Sequence, residues 1–232
     1  MDASRAAAVI EGVKRGGRKF VTEPEAKTIL ASYGVPVTRD VVCRTAEEAV
    51  DAARLIGFPV VMKVVSPQVV HKTEYSAVRV GVSSADEVLA TYEEMVGNVR
   101  RRVEGLELHG VLVSETAKGQ EMIIGSFSDP QFGQMLMFGL GGVNVEVFKD
   151  VSYRLAPLEE IDAREMVSEL RGTRLLAGYR GKEGVDIEAV VSALMAVSRL
   201  VADFPDIVEM DLNPVFGTGG GVLVADARIL LR

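Results

Sequence analysis

The sequence predicts an α/β protein, α+β within each part, built as two lobes with a cleft between them. Three observations carry that expectation. Helical and strand patterns alternate over residues 1–107, and from residue 108 the chain turns β-rich with its helices bunched late. At 232 residues the chain can also bury roughly 70% of its unfolded surface, enough for a large core without staples. We place the divisions at 1–20 (an N-terminal helical segment), 21–107 and 108–232.

The elements follow in order. Ala3 to Val13 has helical apolar spacing, closed by Arg15-Gly16-Gly17. Thr22-Glu23-Pro24-Glu25 reads as a helix start, Thr22 capping, Pro24 early and Glu25 in capping-box position; Gly34 before Pro36 ends it. A strand (Val37 to Cys43), a helix from Thr45, a strand (Val60 to Val65), a loop (Ser66 to Tyr75), a strand (Ala77 to Val82) and a helix from Ser83 to about Arg101 come next. Then Leu108 to Glu115, Gln120 to Ser126, Gln134 to Phe138, Val143 to Phe148 and Val151 to Ala156 read as β. Helices are expected near Glu159 to Leu170 and Asp186 to Asp203, and two strands, Ile207 to Phe216 and Gly221 to Ala227, close the chain.

Composition excludes several classes. There are 26 Lys+Arg against 33 Asp+Glu, a net charge of −7, which argues against a binder of nucleic-acid backbones. One cysteine, Cys43, excludes an internal disulfide framework and a Cys-cluster zinc site. No apolar run is long enough to span a membrane and the N-terminus lacks a signal-peptide core, so a cytoplasmic protein is expected. With only two histidines, each is a candidate to be weighed by itself.

The most informative stretch is Glu209-Met210-Asp211-Leu212-Asn213-Pro214, with Asp226 on the following strand. Period-2 alternation puts Glu209, Asp211 and Asn213 on one face, and the short glycine turn can carry Asp226 beside them. Two carboxylates and an amide oxygen suit Mg²⁺ on nucleotide phosphates; a solvated acidic strand face is the other reading. Lys63 interrupts an apolar strand, where it needs an anion such as a phosphate, or else snorkels to solvent. His71, in the polar loop before Lys72, has base, metal-ligand or phosphoryl-carrier chemistry open to it, against the plainer reading of a surface imidazole. His109 has no partner pattern and is taken as structural. Glu115 and Glu121 flank a strand break that could hold a nucleoside, or simply a hairpin. Gly139-Leu140-Gly141-Gly142 allows close phosphate approach but opens no helix; a hairpin turn explains it as well. Arg154 and Arg180 are candidate anion clamps.

Taken together, the segments PVVMKVVSPQVVHKTE, GVLVSETAKGQEMIIGSFSDPQFGQMLMFGLGGVNVE, YRLAPL, YRG and VEMDLNPV resemble the ATP-grasp fold, and more closely the β subunits of ADP-forming acyl-CoA synthetases. The resemblance spans nearly the whole chain and implies ATP-grasp lobes at 21–107 and 108–232 with ATP or ADP in the cleft. It implies Lys63 on the nucleotide phosphates, Glu115 and its neighbours as adenine hinge, and Glu121 on the ribose. It further implies Asp211, Asn213 and Asp226 as Mg²⁺ ligands, Gly139, Gly141 and Gly142 near the transferred phosphate, and catalytic roles for Arg154 and for His71 as a transient phosphohistidine. A CoA-binding α subunit in an α2β2 assembly follows from the same resemblance. Two departures stand out: Tyr75-Ser76-Ala77 where many relatives have a glycine pair, and Asp211 where many ATP-grasp sites have Glu. An ATP-grasp carboxylate ligase using a free acyl phosphate, and a non-catalytic nucleotide-binding regulator, remain as alternatives.

Overall fold

A computed structural model describes residues 2–69, 72–142, 150–178 and 184–232. In chain order its elements begin with helix α1 (Ala3–Arg15), strand β1 (Phe20–Val21), α2 (Glu23–Ser32), β2 (Asp40–Cys43), α3 (Ala46–Ile56) and β3 (Val60–Val65). A 3-10 turn (Lys72–Tyr75), β4 (Val78–Val82), α4 (Ala85–Arg102), β5 (Gly110–Glu115), β6 (Gln120–Asp129), β7 (Gly133–Leu140) and β8 (Val151–Leu155) follow. The chain closes with α5 (Glu160–Ser168), α6 (Thr173–Leu176), α7 (Ile187–Asp203), β9 (Ile207–Thr218), β10 (Gly221–Val224) and β11 (Arg228–Leu231). Its contacts separate into two units, Thr38–Thr116, and Met1–Val37 together with Ala117–Arg232.

The smaller unit is a four-stranded antiparallel sheet, β2-β5-β3-β4, with α3 and α4 on one face. Strand alternation explains the layering: Val60, Met62 and Val64 of β3 and Val111 and Val113 of β5 pack with Ala49, Ala53, Val88 and Met95 of the helices. The Thr45 hydroxyl accepts from the Glu48 N–H at 3.2 Å and caps α3 as expected. For α4 the cap is Ser84 instead of Ser83 (3.2 Å from the Glu87 N–H); Ser83 donates its N–H and hydroxyl to the Glu87 carboxylate.

The larger unit holds a sheet of seven strands among the described residues, in the order β1-β11-β9-β6-β7-β8, with β10 also pairing β9. Met210, Leu212 and Val215 of β9, Ile124 of β6 and Leu136 and Phe138 of β7 face Ala163 and Met166 of α5 and Leu194, Val197 and Val201 of α7. At the start of α2, Thr22 donates its N–H to Glu25 at 2.9 Å, the reciprocal half of a capping box. The apolar sides of α1 and α2 (Ala6, Ile10, Val13, Ala26, Ile29, Leu30) join this same core.

Four expectations change. Residues 21–37 pack with the second half of the chain and not with 38–107, because Ile29, Leu30 and Tyr33 enter the larger core and Val37 bridges Val224. The other boundary falls after Thr116 instead of after residue 107, since β5 belongs to the smaller sheet. The expected final strand stops at Val224, and a further strand not expected from the sequence, β11, follows at Arg228–Leu231; Pro214 has no N–H, and the ladder on β9 breaks between Val215 and Asp211. Gly139 and Leu140 lie within β7 and form no turn; a Cβ on Gly139 would come within 2.7 Å of Val151 Cγ1 on β8. The strand expected at Val143 to Phe148 lies outside the described residues.

Two glycines predict opposite outcomes. Gly110 has φ +143°, and a Cβ there would meet the Cys43 carbonyl oxygen at 2.5 Å, so Gly110→Ala is expected to destabilise the protein by about 1–3 kcal/mol. Gly12 is exposed in α1 with open space around it, so Gly12→Ala should stabilise by about 0.5–1 kcal/mol. Thermal melts of the two variants check both signs.

Candidate functional site

On β9 the register sets Asp211 directly across from Arg228 of β11 and Gly125 of β6, on the face away from the helices. Beyond the break at Pro214, the Ala225 N–H donates to the Pro214 carbonyl at 3.0 Å and leads the chain back toward β9. Asp226 thereby enters the electrostatic surroundings of Asp211. Burial pushes the Asp211 carboxyl above its ordinary range; Arg228 opposes this, while Asp226 and Glu209 add to it. Asn213 is the exposed residue two positions further on. Among the described residues no three or more His, Cys, Asp or Glu side chains gather as a metal cluster. Two carboxylates and an amide oxygen, Asp211, Asp226 and Asn213, are oxygen donors of the kind that could hold a hard divalent cation such as Mg²⁺.

Arg228 itself carries no role in the sequence reading. Its Nη2 lies 3.3 Å from Glu209 Oε1, and its guanidinium carbon sits 5.6 Å from the centre of the Phe20 ring. The available signal was spacing: Arg228 is the second residue after Asp226, in step with strand alternation.

Glu121 and two of the glycines meet. The Gly141 N–H donates to the Glu121 carbonyl at 2.8 Å, and a Cβ on Gly141 would crowd the Glu121 backbone at 3.0 Å. Gly142, at φ +66°, lies so close that a Cβ would be 3.1 Å from Glu121 Oε2. These glycines let a chain pass against an exposed acid, while Gly139 serves the packing of β7 on β8.

Arg154 does not join Asp211. The register Arg154–Leu136–Ser126–Met210 puts it on the helix-covered face, three strands and about 14 Å from β9. Its guanidinium pairs with Glu169 at 2.5 Å and Glu165 at 3.1 Å, and these carboxylates, Glu169 first, hold it protonated beyond its usual range.

In the smaller unit Lys63 is only 6% exposed, opposite Leu112 of β5 and Val78 of β4, on the sheet face that does not meet the helices. Glu115 is committed to Arg39: its carboxylate accepts from the Arg39 N–H (2.8 Å) and Nε (2.9 Å), and its N–H donates to the Arg39 carbonyl (3.1 Å). A hinge here therefore rests on the backbone of the residues after Glu115 and not on its side chain. Thr116 is anchored too, its hydroxyl donating to the Pro59 carbonyl at 2.7 Å. His109 is held by Glu107 at 2.9 Å and donates its N–H to the Val65 carbonyl, in keeping with a structural residue. His71 and Arg180 lie outside the described residues.

A family model described as "ATP-grasp domain" matches residues 12–231. The β subunit of acetate–CoA ligase [ADP-forming] II of Pyrococcus furiosus is 46% identical over 228 residues, covering 97% of each chain. A solved structure of Ca. Korarchaeum cryptofilum dinucleotide forming acetyl-coenzyme A synthetase 1, in complex with coenzyme A, Ca-AMPCP and HgCl⁺, superposes with a TM-score of 0.94 at 49% identity over 98% of this chain and 100% of that one. A second structure of that protein, with coenzyme A and Mg-AMPPCP and its phosphohistidine segment pointing towards the nucleotide binding site, gives a TM-score of 0.85 at 47% identity over the same shares.

Asp211 supplies a test of the site. Because its folded pKa is raised, the charged form is disfavoured by folding; that penalty is absent below the unfolded value near ~3.9 and complete once pH exceeds the folded value. Metal-free Asp211→Asn is therefore expected to melt higher than the parent chain at pH 7, with the gain vanishing below about pH 4. The same variant should lose at least about tenfold in Mg·ADP affinity. Calorimetry checks both, and unchanged Mg·ADP binding would remove the metal assignment.

Proposed function

Because the chain belongs to the ATP-grasp family, alongside the β subunits of the ADP-forming acetate–CoA ligases, we propose that it is the nucleotide-binding subunit of an ADP-forming acyl-CoA synthetase. The reaction is acyl-CoA + ADP + phosphate ⇌ acid + CoA + ATP. The observation that carries this reading is the match over 98% of the chain to a structure solved with coenzyme A and a nucleotide analogue.

The residues divide the work. Lys63, a cation set in an apolar strand, holds nucleotide phosphates. Asp211, Asn213 and Asp226 hold Mg²⁺, which when bound neutralises phosphate charge. Glu121 accepts from ribose hydroxyls, beside the Gly141–Gly142 passage that allows close approach of a phosphate, and the backbone after Glu115 borders the adenine. Arg154 is left out of the assignment, since its two glutamates and its face of the sheet separate it from Asp211.

His71 is the phosphoryl carrier. Its imidazole nitrogen attacks the γ-phosphorus as the bond to the ADP oxygen breaks, and the imidazole loses a proton; the reverse step makes ATP. The likeness to β subunits supports assigning the acyl and CoA steps to a CoA-binding α partner, and the family resemblance an α2β2 assembly. No described helix is long and apolar enough to cross a membrane, and we place the protein in the cytoplasm.

Incubation with γ-labelled ATP and Mg²⁺, with and without the partner, should leave acid-labile, base-stable label on the chain. Label is expected to vanish in His71→Ala and to persist in His109→Ala. Label surviving His71→Ala would sink the relay; none under any condition would favour a ligase using free acyl phosphate or a regulatory module.

A further inference from the structure

Arg228 is a charged side chain that the roles above leave unused, and it stands among the acids of the candidate metal site. It is poorly partnered. Its Nη2 lies 3.3 Å from Glu209 Oε1, and its Nε is buried with no hydrogen-bond partner. Other arginines of the chain are seated differently. Arg18 grips Glu25 through two nitrogens at 3.0 and 2.7 Å, and Arg164 meets both Glu160 and Glu188 at 2.6–3.0 Å. A guanidinium kept only for a carboxylate takes that forked geometry, so Glu209 alone does not account for Arg228.

The register locates its charge. Arg228 pairs directly with Asp211, while Leu230, two residues on, pairs with Glu209 on one side and Phe20 of β1 on the other. The guanidinium reaches Glu209 and lies 5.6 Å from the centre of the Phe20 ring, so the side chain leans along β11 toward Leu230. Asn213 and Asp226 lie on the opposite side of Asp211 along their strands. Arg228 is thus parked: a fixed positive charge beside Asp211, turned away from the oxygen donors.

We infer that Arg228 sets the selectivity of the metal site, disfavouring a bare divalent cation and favouring one that arrives on nucleotide phosphates. This rests on the metal and nucleotide reading given above. Acids alone attract any dication. A guanidinium beside them repels a free dication, whereas a metal–nucleoside diphosphate complex carries net negative charge and is drawn in. Glu209 and Phe20 act as positioning residues: they keep Arg228 near enough for its field to act, yet hold it back from pairing with Asp211.

The test titrates the full-length chain with Mn²⁺ (an oxygen-site substitute for Mg²⁺), with ADP and with Mn·ADP at pH 8, above the carboxylate range. Calorimetry and the paramagnetic resonance of free Mn²⁺ read the affinities. Arg228→Gln should tighten free Mn²⁺ by roughly three- to tenfold and weaken metal-free ADP by a similar factor, with Mn·ADP moving in the same direction as ADP. Arg228→Lys, which keeps the charge, should return both toward the parent values. Glu209→Gln should weaken Mn²⁺ and Mn·ADP together, because Arg228 is released to pair with Asp211. A lost or unchanged affinity for free Mn²⁺ in Arg228→Gln would overturn the assignment, since a merely structural arginine loosens every ligand or none. A parent chain that binds neither ADP nor Mn·ADP would instead take down the nucleotide reading itself.

Discussion

The larger unit depends on one strand having to pair along both edges while carrying a proline. β9 is flanked by β6 on one side and by β10 and β11 on the other, and every further strand of the sheet hangs from those pairings. Pro214 cannot donate to a ladder; its carbonyl still accepts from the Ala225 N–H, but the two-way pairing stops there and resumes at Arg228. The residues between the two stretches of pairing, 225–227, carry Asp226 into the field of Asp211. A backbone defect thus places a second acid near the first, and the alternation of β9 buries Met210 and Leu212 in the core while turning Asp211 outward. Packing on one face and charge on the other are two consequences of the same strand.

Local signals in the sequence survived folding well. Thr45 caps its helix, the Glu25 carboxylate reaches back to Thr22, and β3 spans Val60–Val65 as its apolar run implied. These features depend on neighbours within four residues or on strict alternation, which a linear reading can see. The acid-x-Asn-Pro stretch was legible for the same reason: its period set the face, and only the register to Asp226 was open.

What the sequence could not show is which distant surfaces meet. Nothing in the periodicity of α2 says that Ile29 and Leu30 enter the larger core, so the division after residue 20 was misplaced. Arg154 was read as a candidate anion clamp; the glutamates that engage it come from α5 and its C-terminal cap, eleven and fifteen residues later. Gly139 looked like a turn because glycines often make turns, whereas here it gives way to Val151 across a strand pair. Glu115 looked available as a ligand until Arg39, far away in sequence, occupied its carboxylate.

The Arg39–Glu115 clamp has one more consequence. Arg39 stands where the chain enters the smaller unit and Glu115 where it leaves, so the two crossings are fastened by three hydrogen bonds beside the β2–β5 ladder. To the larger unit, everything from Thr38 to Thr116 is then a single loop whose ends are already closed. The entropy of closing a loop grows only with the logarithm of its length, and here the closure is supplied by the loop's own stem. The length of the excursion between those ends therefore adds little to the entropy of closing the larger unit's chain across it.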